Sequence, residues 1–314
     1  MKRTPSMVSL VKDYLNCRRK LGVELLREGS LLLNFARFAD HAGHTGSLTQ
    51  DLAESWACTS RTSQINRARR LAIVRRFAEY RRQFDSDTQI PQSGLLGRTT
   101  RRLTPHIYSA EEIERLLAAT KELKSTNGLR SATYKAFFGL IAATGLRLSE
   151  AINLKRCDVD LANGILTLRH TKYAKTRLVP LHPSTTQALG RYLCCRDQKI
   201  HAPANDFFFL SARGAALDSR TVEYTFGRLR KRLGWIGRGS YSFPRIMDMR
   251  HSFICRRLVS WYKEGVNVDN AILALATYVG HTEVTATYWY ITGVADLMAF
   301  AAQRFQRLTQ GASK

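Results

Sequence analysis

The sequence lacks the features of a membrane-spanning or secreted chain. It has no run of about 18 apolar residues, the length that a helix needs to cross a bilayer. No apolar segment follows the basic N-terminus, so we predict no signal peptide. The six cysteines form no CxxC pair and have no metal-ligand spacing. We therefore expect a cytoplasmic protein with reduced thiols, without a zinc site or any other cofactor.

Acidic residues are also scarce. The chain has 25 Asp and Glu against 49 Lys and Arg, which gives a net charge of +24 and a pI near 10.3. Residues 1–104 carry 19 basic and 9 acidic residues, so the excess is not confined to one half. Such a surface is typical of a protein that binds a polyanion, most often nucleic acid and less often an anionic membrane. Its spread along the chain favours a long DNA or RNA track over one local contact.

Hydrophobic periodicity predicts a small helical domain over residues 1–84. Apolar residues recur at helical spacing in four segments: residues 7–20, 24–41, 51–58 and 64–82. Thr49 and Ser63 are predicted to cap the third and fourth of these helices. The fourth helix carries a row of arginines opposite its apolar face: Arg67, Arg75 and Arg82. Such a row is usually a solvated face, but the charge of the whole chain favours contact with phosphate.

The helical pattern stops over residues 85–104, where one proline and two glycines occur. Breakers at this density predict a linker, so that the second domain covers residues 105–314. The basic end of the linker consists of Arg98, Arg101 and Arg102. Two interpretations stay open for it: contact with a phosphate backbone, or a flexible tether.

The second domain is predicted to be mainly α-helical with a small β-sheet. Ser109 and Glu112 have the spacing of a capping box at the start of its first helix. Gly145 is predicted to end a strongly apolar helix over residues 134–144. Two paired strands, at residues 164–169 and 176–180, follow an Asn-Gly turn. Further helices are predicted at residues 148–154, 184–195, 219–233, 248–262, 269–279 and 294–308.

Three segments of this domain place a cation where phosphate chemistry needs one. Arg147 follows a helix end, and Glu150 is three residues later, a spacing that lets the carboxylate hold the guanidinium. Lys172 is at the predicted turn between the strands, where an ammonium group can protonate a leaving oxygen. Arg250 is at the start of an apolar helix, and a helix N-terminus favours anions.

A fourth segment places His281 nine residues before Tyr290. A tyrosine hydroxyl has a pKa near 10, so it acts as a nucleophile only in a positively charged pocket. Each of the four segments alone has a more ordinary interpretation. These are a surface arginine, an exposed turn lysine, a helix-cap histidine and a core cluster of aromatic residues.

In combination the four segments resemble the tyrosine recombinases, also called phage integrases. The order and spacing agree with the motifs of that family: Thr-Gly-Leu-Arg147-Leu-Ser-Glu150, Thr-Lys172-Tyr-Ala-Lys175-Thr-Arg177, Met-Asp-Met-Arg250-His251-Ser-Phe and Val-Gly-His281 with Tyr290. The resemblance covers most of the second domain. The N-terminal helical unit resembles the core-binding domain of the family in size, helicity and charge. The fold implied is a helical core-binding domain followed by an α+β catalytic domain.

The resemblance implies a site-specific recombinase that breaks and rejoins DNA strands. Tyr290 would attack a phosphodiester to form a 3′-phosphotyrosyl link, while Arg147 and Arg250 bind the phosphate. His281 would add a hydrogen bond to a non-bridging oxygen. Lys172, rather than the second lysine of the same hairpin, would protonate the leaving 5′-oxygen.

The resemblance also implies partners. Lys175 and Arg177 are expected to contact DNA, and Glu150 to support the first arginine. Four protomers would assemble on two double-stranded DNA sites, linked by exchange of a segment near residues 294–314. Neither ATP nor a metal is implied. Integration or transposition of a mobile element in a bacterium is the expected context.

One position departs from the family pattern. Three residues before Arg250, where the family usually has histidine, this chain has Met247. A thioether cannot donate or shuttle a proton, and loss of a proton-transfer group costs about 10²–10⁴ in rate. His251 is not an obvious substitute, because one step along a helix turns a side chain by about 100°. Either a slow step is tolerated, another group compensates, or activity is weakened.

Two other functions and one other nucleophile therefore stay open. An accessory protein with the recombinase fold, binding DNA beside active relatives, would be compatible with Met247. A basic RNA-binding protein without chemistry is less favoured, because no recognised RNA module is present. Tyr288, two residues from the expected position, is the alternative nucleophile.

Overall fold

The computed structural model describes residues 5–23, 25–59, 61–100, 103–169, 176–201, 203 and 205–293. The chain divides into two compact units, Met1–Arg102 and Leu103–Lys314. Mainly helical structure with a small antiparallel sheet, as predicted, is confirmed. No described helix is long and apolar enough to cross a membrane.

Four helices make up the described part of the first unit: α1 (Met7–Lys20), α2 (Leu26–His41), α3 (Gln50–Cys58) and α4 (Gln64–Arg81). Each lies where the periodicity predicts it. Thr49 caps α3, since its hydroxyl accepts a hydrogen bond from the Leu52 amide at 3.3 Å. The apolar faces of the helices meet in a core that buries Phe35, Trp56 and Phe77.

Residues 85–100, which we predicted as part of a linker, contain no helix or strand. The Gln89 amide nevertheless donates to the Leu48 carbonyl at 2.8 Å, and Arg69 Nε donates to the Thr99 carbonyl at 2.7 Å. Their apolar side chains also pack against the core of the first unit. This segment therefore belongs structurally to the first unit as far as Thr99.

The described helices of the second unit are α5 (Ala110–Ala119), α6 (Leu129–Thr144), α7 (Leu148–Ile152), α8 (Pro183–Lys199), α9 (Ser219–Arg232), α10 (Ile246–Lys263), α11 (Val268–Val279) and α12 (Thr285–Gly293). The capping box of α5 is confirmed, with Ser109 and Glu112 each accepting from the amide of the other, at 3.2 and 2.9 Å. Helix α12 was not predicted. The helix predicted at 294–308 lies outside the described residues.

The described sheet has three antiparallel strands in the order β1 (Val159–Asp160), β2 (Ile165–Leu168) and β3 (Arg177–Pro180). The pairing of β2 with β3, in which Leu166 lies opposite Val179, confirms the predicted strand pair. Strand β1 was missed because two residues are too few to show an alternating pattern.

Helix α6 passes through the core of the second unit and determines where the first site segment begins. It ends at Gly145, which has a φ of 67°. A Cβ at this position would lie 2.7 Å from the Phe253 ring, so both the backbone angle and the space require glycine. The chain then turns sharply into α7, with Arg147 at the N-cap position.

Candidate active site

Arg147 is held at the start of α7 by its own helix. Glu150 accepts from the Arg147 amide at 2.9 Å and from its Nη1 at 2.7 Å. The other guanidinium nitrogen, Nη2, donates to the Gly280 carbonyl at 2.6 Å. This bond connects α7 to the turn that follows α11, 133 residues later. The guanidinium is fixed yet still 26% exposed, so it can reach a ligand.

Arg250 lies deeper in the protein, on the second turn of α10. It is 3% exposed and donates to two main-chain carbonyls, those of Gly145 at 2.7 Å and Val279 at 2.6 Å. Burial, followed by the positive charge of Arg147, lowers its pKa to about 10. The group is therefore still protonated at neutral pH, and two like charges are held near one another. Such an arrangement is stabilised by an anion between them.

Glu150 and Arg177 form an ion pair beside these two arginines. Both side chains are almost fully buried, and two 2.9 Å hydrogen bonds join them in a bidentate pair. Burial alone would raise the pKa of Glu150, but the bonds from Arg177 and from the Arg147 amide lower it, so the carboxylate is ionised. Arg177 was predicted to contact DNA. In the structure its guanidinium is paired with Glu150, and it also donates to the Tyr278 carbonyl.

His281 follows Gly280, the residue that ends α11. Its Nδ1 and the Thr287 hydroxyl lie 2.7 Å apart and form a hydrogen bond. Burial, and then Arg250 and Arg147, lower its pKa to about 3, so the ring is neutral at physiological pH. The ring is parallel to that of Tyr290, at a centroid distance of 6.3 Å.

Tyr290 lies on α12, with 3% of its surface exposed. Its hydroxyl oxygen is 2.5 Å from Nδ1 of His251 on α10. Burial lowers the pKa of His251 to about 4. A neutral imidazole that carries its hydrogen on Nε2 accepts the phenolic hydrogen at Nδ1. This partner was not expected from the sequence.

Met247 and Tyr288 are both exposed, unlike Tyr290. Met247 is 46% exposed on the first turn of α10. Tyr288 is 39% exposed, and its hydroxyl donates to Asp269 at 3.3 Å. Of the two candidate nucleophiles, Tyr290 is therefore the one that lies among the predicted site residues.

Lys172 and Lys175 lie outside the described residues, as do Arg101 and Arg102. No described group of three or more His, Cys, Asp or Glu side chains has the arrangement of a metal site. All six cysteines are free thiols.

The arginines predicted on the first unit differ in exposure. Arg82 and Arg98 are exposed, whereas Arg67 is half-buried. Arg75 forms an ion pair with Glu79 at 3.1 Å and donates to the Pro91 carbonyl, so it also secures the segment after α4.

A groove between α2 and α4 carries more basic residues than the predicted row. It has a volume of about 700 Å³, and its charged lining comprises one glutamate and four arginines: Arg27, Arg69, Arg70 and Arg76. Arg70 lies over the Trp56 ring at 3.9 Å and donates to the Trp56 carbonyl. Sequence reasoning missed this groove because its arginines come from two helices.

Comparison with known proteins identifies the family of the chain. Residues 107–295 match the sequence profile of the phage integrase family. The chain belongs to this family, whose members include the tyrosine recombinases. A relative from Sinorhizobium fredii (strain NBRC 101917 / NGR234), y4rB, whose name assigns it to the integrase/recombinase class, is 41% identical over 302 residues. That match covers 95% of this chain and 96% of the relative.

More distant relatives share the fold. Tyrosine recombinase XerC of Staphylococcus aureus (strain JH9) is 27% identical over 237 residues, 75% of this chain and 73% of that protein. The solved structure of the Tn1549 transposon integrase in complex with transposon right end DNA superimposes with a TM-score of 0.67 at 19% identity. It covers 97% of this chain and 100% of that chain. The architecture of two helical units with one small sheet is therefore that of tyrosine recombinases.

Proposed function

We propose that this protein is a site-specific DNA recombinase that cuts and rejoins strands through a 3′-phosphotyrosyl link to Tyr290. One observation carries the proposal: among the described residues, the backbone turn at residues 279–281 connects Arg147, Arg250 and Tyr290. Val279 binds Arg250, Gly280 binds Arg147, and His281 lies parallel to the Tyr290 ring. Membership of the phage integrase family supports the same reaction class.

In the proposed reaction, the scissile phosphate binds between Arg147 and Arg250. The Tyr290 oxygen attacks phosphorus, and the bond to the 5′-oxygen breaks. The two guanidinium groups stabilise the additional charge of the transition state, which is usually the largest catalytic contribution. Lys172 protonates the leaving oxygen, and His281 donates a hydrogen bond to the phosphate. A 5′-hydroxyl of another strand then attacks the phosphotyrosyl link and restores the backbone without ATP.

We propose that the two domains divide the work. Residues 1–84 form a DNA-binding domain in which the groove arginines and the exposed Arg82 contact phosphates. Arg98, Arg101 and Arg102 continue this basic track towards the catalytic domain at residues 105–314, in which Lys175 contacts DNA. Arg177 has a structural role in this scheme, because its guanidinium is committed to Glu150.

The proposed assembly is a homotetramer on two DNA sites, joined by exchange of residues 294–314. The proposed context is movement of an integrated or transposable element. The integrase/recombinase name of the 41% identical relative supports this context.

Met247 favours a second function. An accessory protein that keeps the fold and binds DNA, but cleaves weakly, would tolerate an exposed thioether where the family has histidine. It would work beside active recombinases on the same site.

A covalent-trapping experiment separates the two functions. The DNA segment that the protein protects from nuclease is prepared with a nick beside the cleavage position, so that the 5′-hydroxyl fragment diffuses away after attack. A recombinase gives a covalent adduct on a denaturing gel. The adduct should be abolished by Tyr290→Phe and retained by Tyr288→Phe, the matched control two residues away. Specific binding without an adduct would instead establish the accessory function.

A further inference from the structure

The hydroxyl group of Tyr290 is in contact with a residue that has no role in the reaction described above. Nδ1 of His251 is 2.5 Å from the Tyr290 oxygen, and the two ring centroids are 5.4 Å apart. Trp289 packs edge-on to the same imidazole at 6.3 Å. The contact joins α10 to α12, so it is formed by tertiary packing rather than by a local turn.

We propose that His251 is the proton acceptor for Tyr290. Its Nδ1 takes the phenolic proton while the Tyr290 oxygen bonds to phosphorus and the bond to the 5′-oxygen breaks. The leaving oxygen takes a separate proton from Lys172. During rejoining, His251 returns the proton to the tyrosine oxygen as the phosphotyrosyl bond breaks. This inference rests on the proposed function, because it requires Tyr290 to be the nucleophile.

The surroundings of His251 keep its imidazole neutral, so that one of its two ring nitrogens can accept a proton. Burial is the main cause of its low pKa, and Arg245 and Arg250 act in the same direction, whereas Asp248 opposes them. The other histidine of the site, His281, is neutral as well. The imidazolium formed during attack would be costly in an empty pocket. A bound phosphate offsets that cost, since its negative charge lies beside the same arginines.

Two other side chains are less suited to this role. Nδ1 of His281 is hydrogen-bonded to Thr287, and its ring lies parallel to Tyr290 at 6.3 Å rather than at the hydroxyl. Met247 is exposed, and its thioether does not take up protons.

Helix geometry explains how His251 can act in place of the expected histidine. The relevant comparison is with Met247, four residues earlier, rather than with its neighbour Arg250. Four residues turn a helix by about 400°, or 40° net, and advance it by about 6 Å. His251 therefore lies one turn further along nearly the same face, where α12 brings Tyr290 to it. This packing is the reason to assign the role to His251, which the sequence alone did not make an obvious substitute.

The test measures single-turnover adduct formation on two nicked duplexes. Both carry the protected sequence, one with the ordinary 5′-oxygen at the scissile bond and the other with a bridging 5′-sulfur. A thiolate leaves without a proton, so the sulfur substrate removes the need for an acid. His251→Ala should slow the reaction about 10²–10⁴-fold on both substrates. Lys172→Ala should be slow on oxygen and restored on sulfur. The control is His182→Ala, at an exposed histidine that precedes α8 and is not among the site residues, and it should match the wild type on both substrates.

The pH profile distinguishes proton transfer from a purely structural effect. The wild-type rate should be level between pH 6 and 8. The rate of His251→Gln should rise about tenfold per pH unit, because hydroxide must then remove a proton from a group with a pKa near 10. A wild-type rate that rises tenfold per pH unit would by itself overturn the proposal, whatever the variants show. So would a His251→Gln enzyme with the wild-type rate and profile. An adduct that persists in Tyr290→Phe would instead refute the proposed nucleophile.

Discussion

Arginines occur in two kinds of surroundings in this protein. Around the active site, Arg147, Arg250 and Arg177 are held by main-chain carbonyls and by one buried carboxylate. In the first unit, Arg27 and Arg76 line an open groove and are exposed to solvent. Both sets suit a polyanion, but the hydrogen bonds of the first set fix the position of its charges. Reaction at one phosphate needs fixed charges, whereas holding a flexible duplex needs many adaptable ones.

The sharpest test of this comparison removes the partner of the buried carboxylate. Arg177→Ala removes two hydrogen bonds from the Glu150 carboxylate, which is 8% exposed and keeps Arg147 as its remaining charged partner. We expect a loss of about 1.5–3 kcal/mol in the free energy of unfolding, measured with denaturant. The matched control is Lys155→Ala, which breaks an exposed pair with Asp206 and should cost less than about 1 kcal/mol. Equal losses would show that burial does not distinguish the two pairs.

The next largest effect is expected on chemistry. Arg250→Lys keeps a positive charge but cannot donate to both the Gly145 and Val279 carbonyls in the same fork geometry. Adduct formation at saturating DNA should fall about 10²–10³-fold, the usual cost of losing one preorganised donor. Affinity for the duplex, measured by fluorescence anisotropy, should change less than about threefold. A variant that loses affinity in proportion to rate would place Arg250 among the general DNA contacts.

As the pH falls, acid should destabilise the site that contains His251 and His281 before it affects the arginine groove of the first unit. The pKa values of His251 and His281 are lowered to about 4 and about 3, below their unfolded value of 6.5. The unfolded chain therefore binds more protons, and stability is lost as pH falls from about 6.5 towards 4. Between pH 7 and 5 we expect a loss of about 2–3 kcal/mol in the free energy of unfolding, allowing for partial exposure. His281→Gln should reduce that loss.

The smallest effect is expected for single groove arginines. Arg27→Ala or Arg76→Ala should weaken duplex binding modestly and lower the slope of log affinity against log salt by about one each. The rate of adduct formation at saturating DNA should be unchanged. A defect in rate without a change in the salt slope would assign the groove a catalytic rather than an electrostatic role.

Local features of the sequence predicted a large part of the fold. The capping residues Thr49 and Ser109 and the terminator Gly145 act through their immediate neighbours, so their patterns predicted helix boundaries within a few residues. The family motifs likewise placed Arg147, Arg250 and Tyr290 on segments that the structure brings to one pocket.

What could not be predicted depends on contacts between distant segments. Whether Arg177 faces DNA or Glu150 is determined by how β3 packs on α11, and the sequence near the hairpin does not contain that information. The contact between His251 and Tyr290 requires the unpredicted helix α12 to lie on α10. The sequence does show that His251 follows Met247 by four residues, about one helical turn. That spacing acquires a meaning only when Tyr290 lies beside His251.

Gly280 makes the catalytic arrangement difficult to transfer by exchanging side chains. Its φ of 71° exposes consecutive carbonyls to Arg147 and Arg250, and a Cβ there would lie 2.5 Å from the Arg177 guanidinium. The separation between the two positive charges is thus set by adjacent peptide oxygens. An engineer who grafted only the two arginines and the tyrosine onto another scaffold would omit the part that spaces them. The transplantable unit is a main-chain turn together with the residues that it holds.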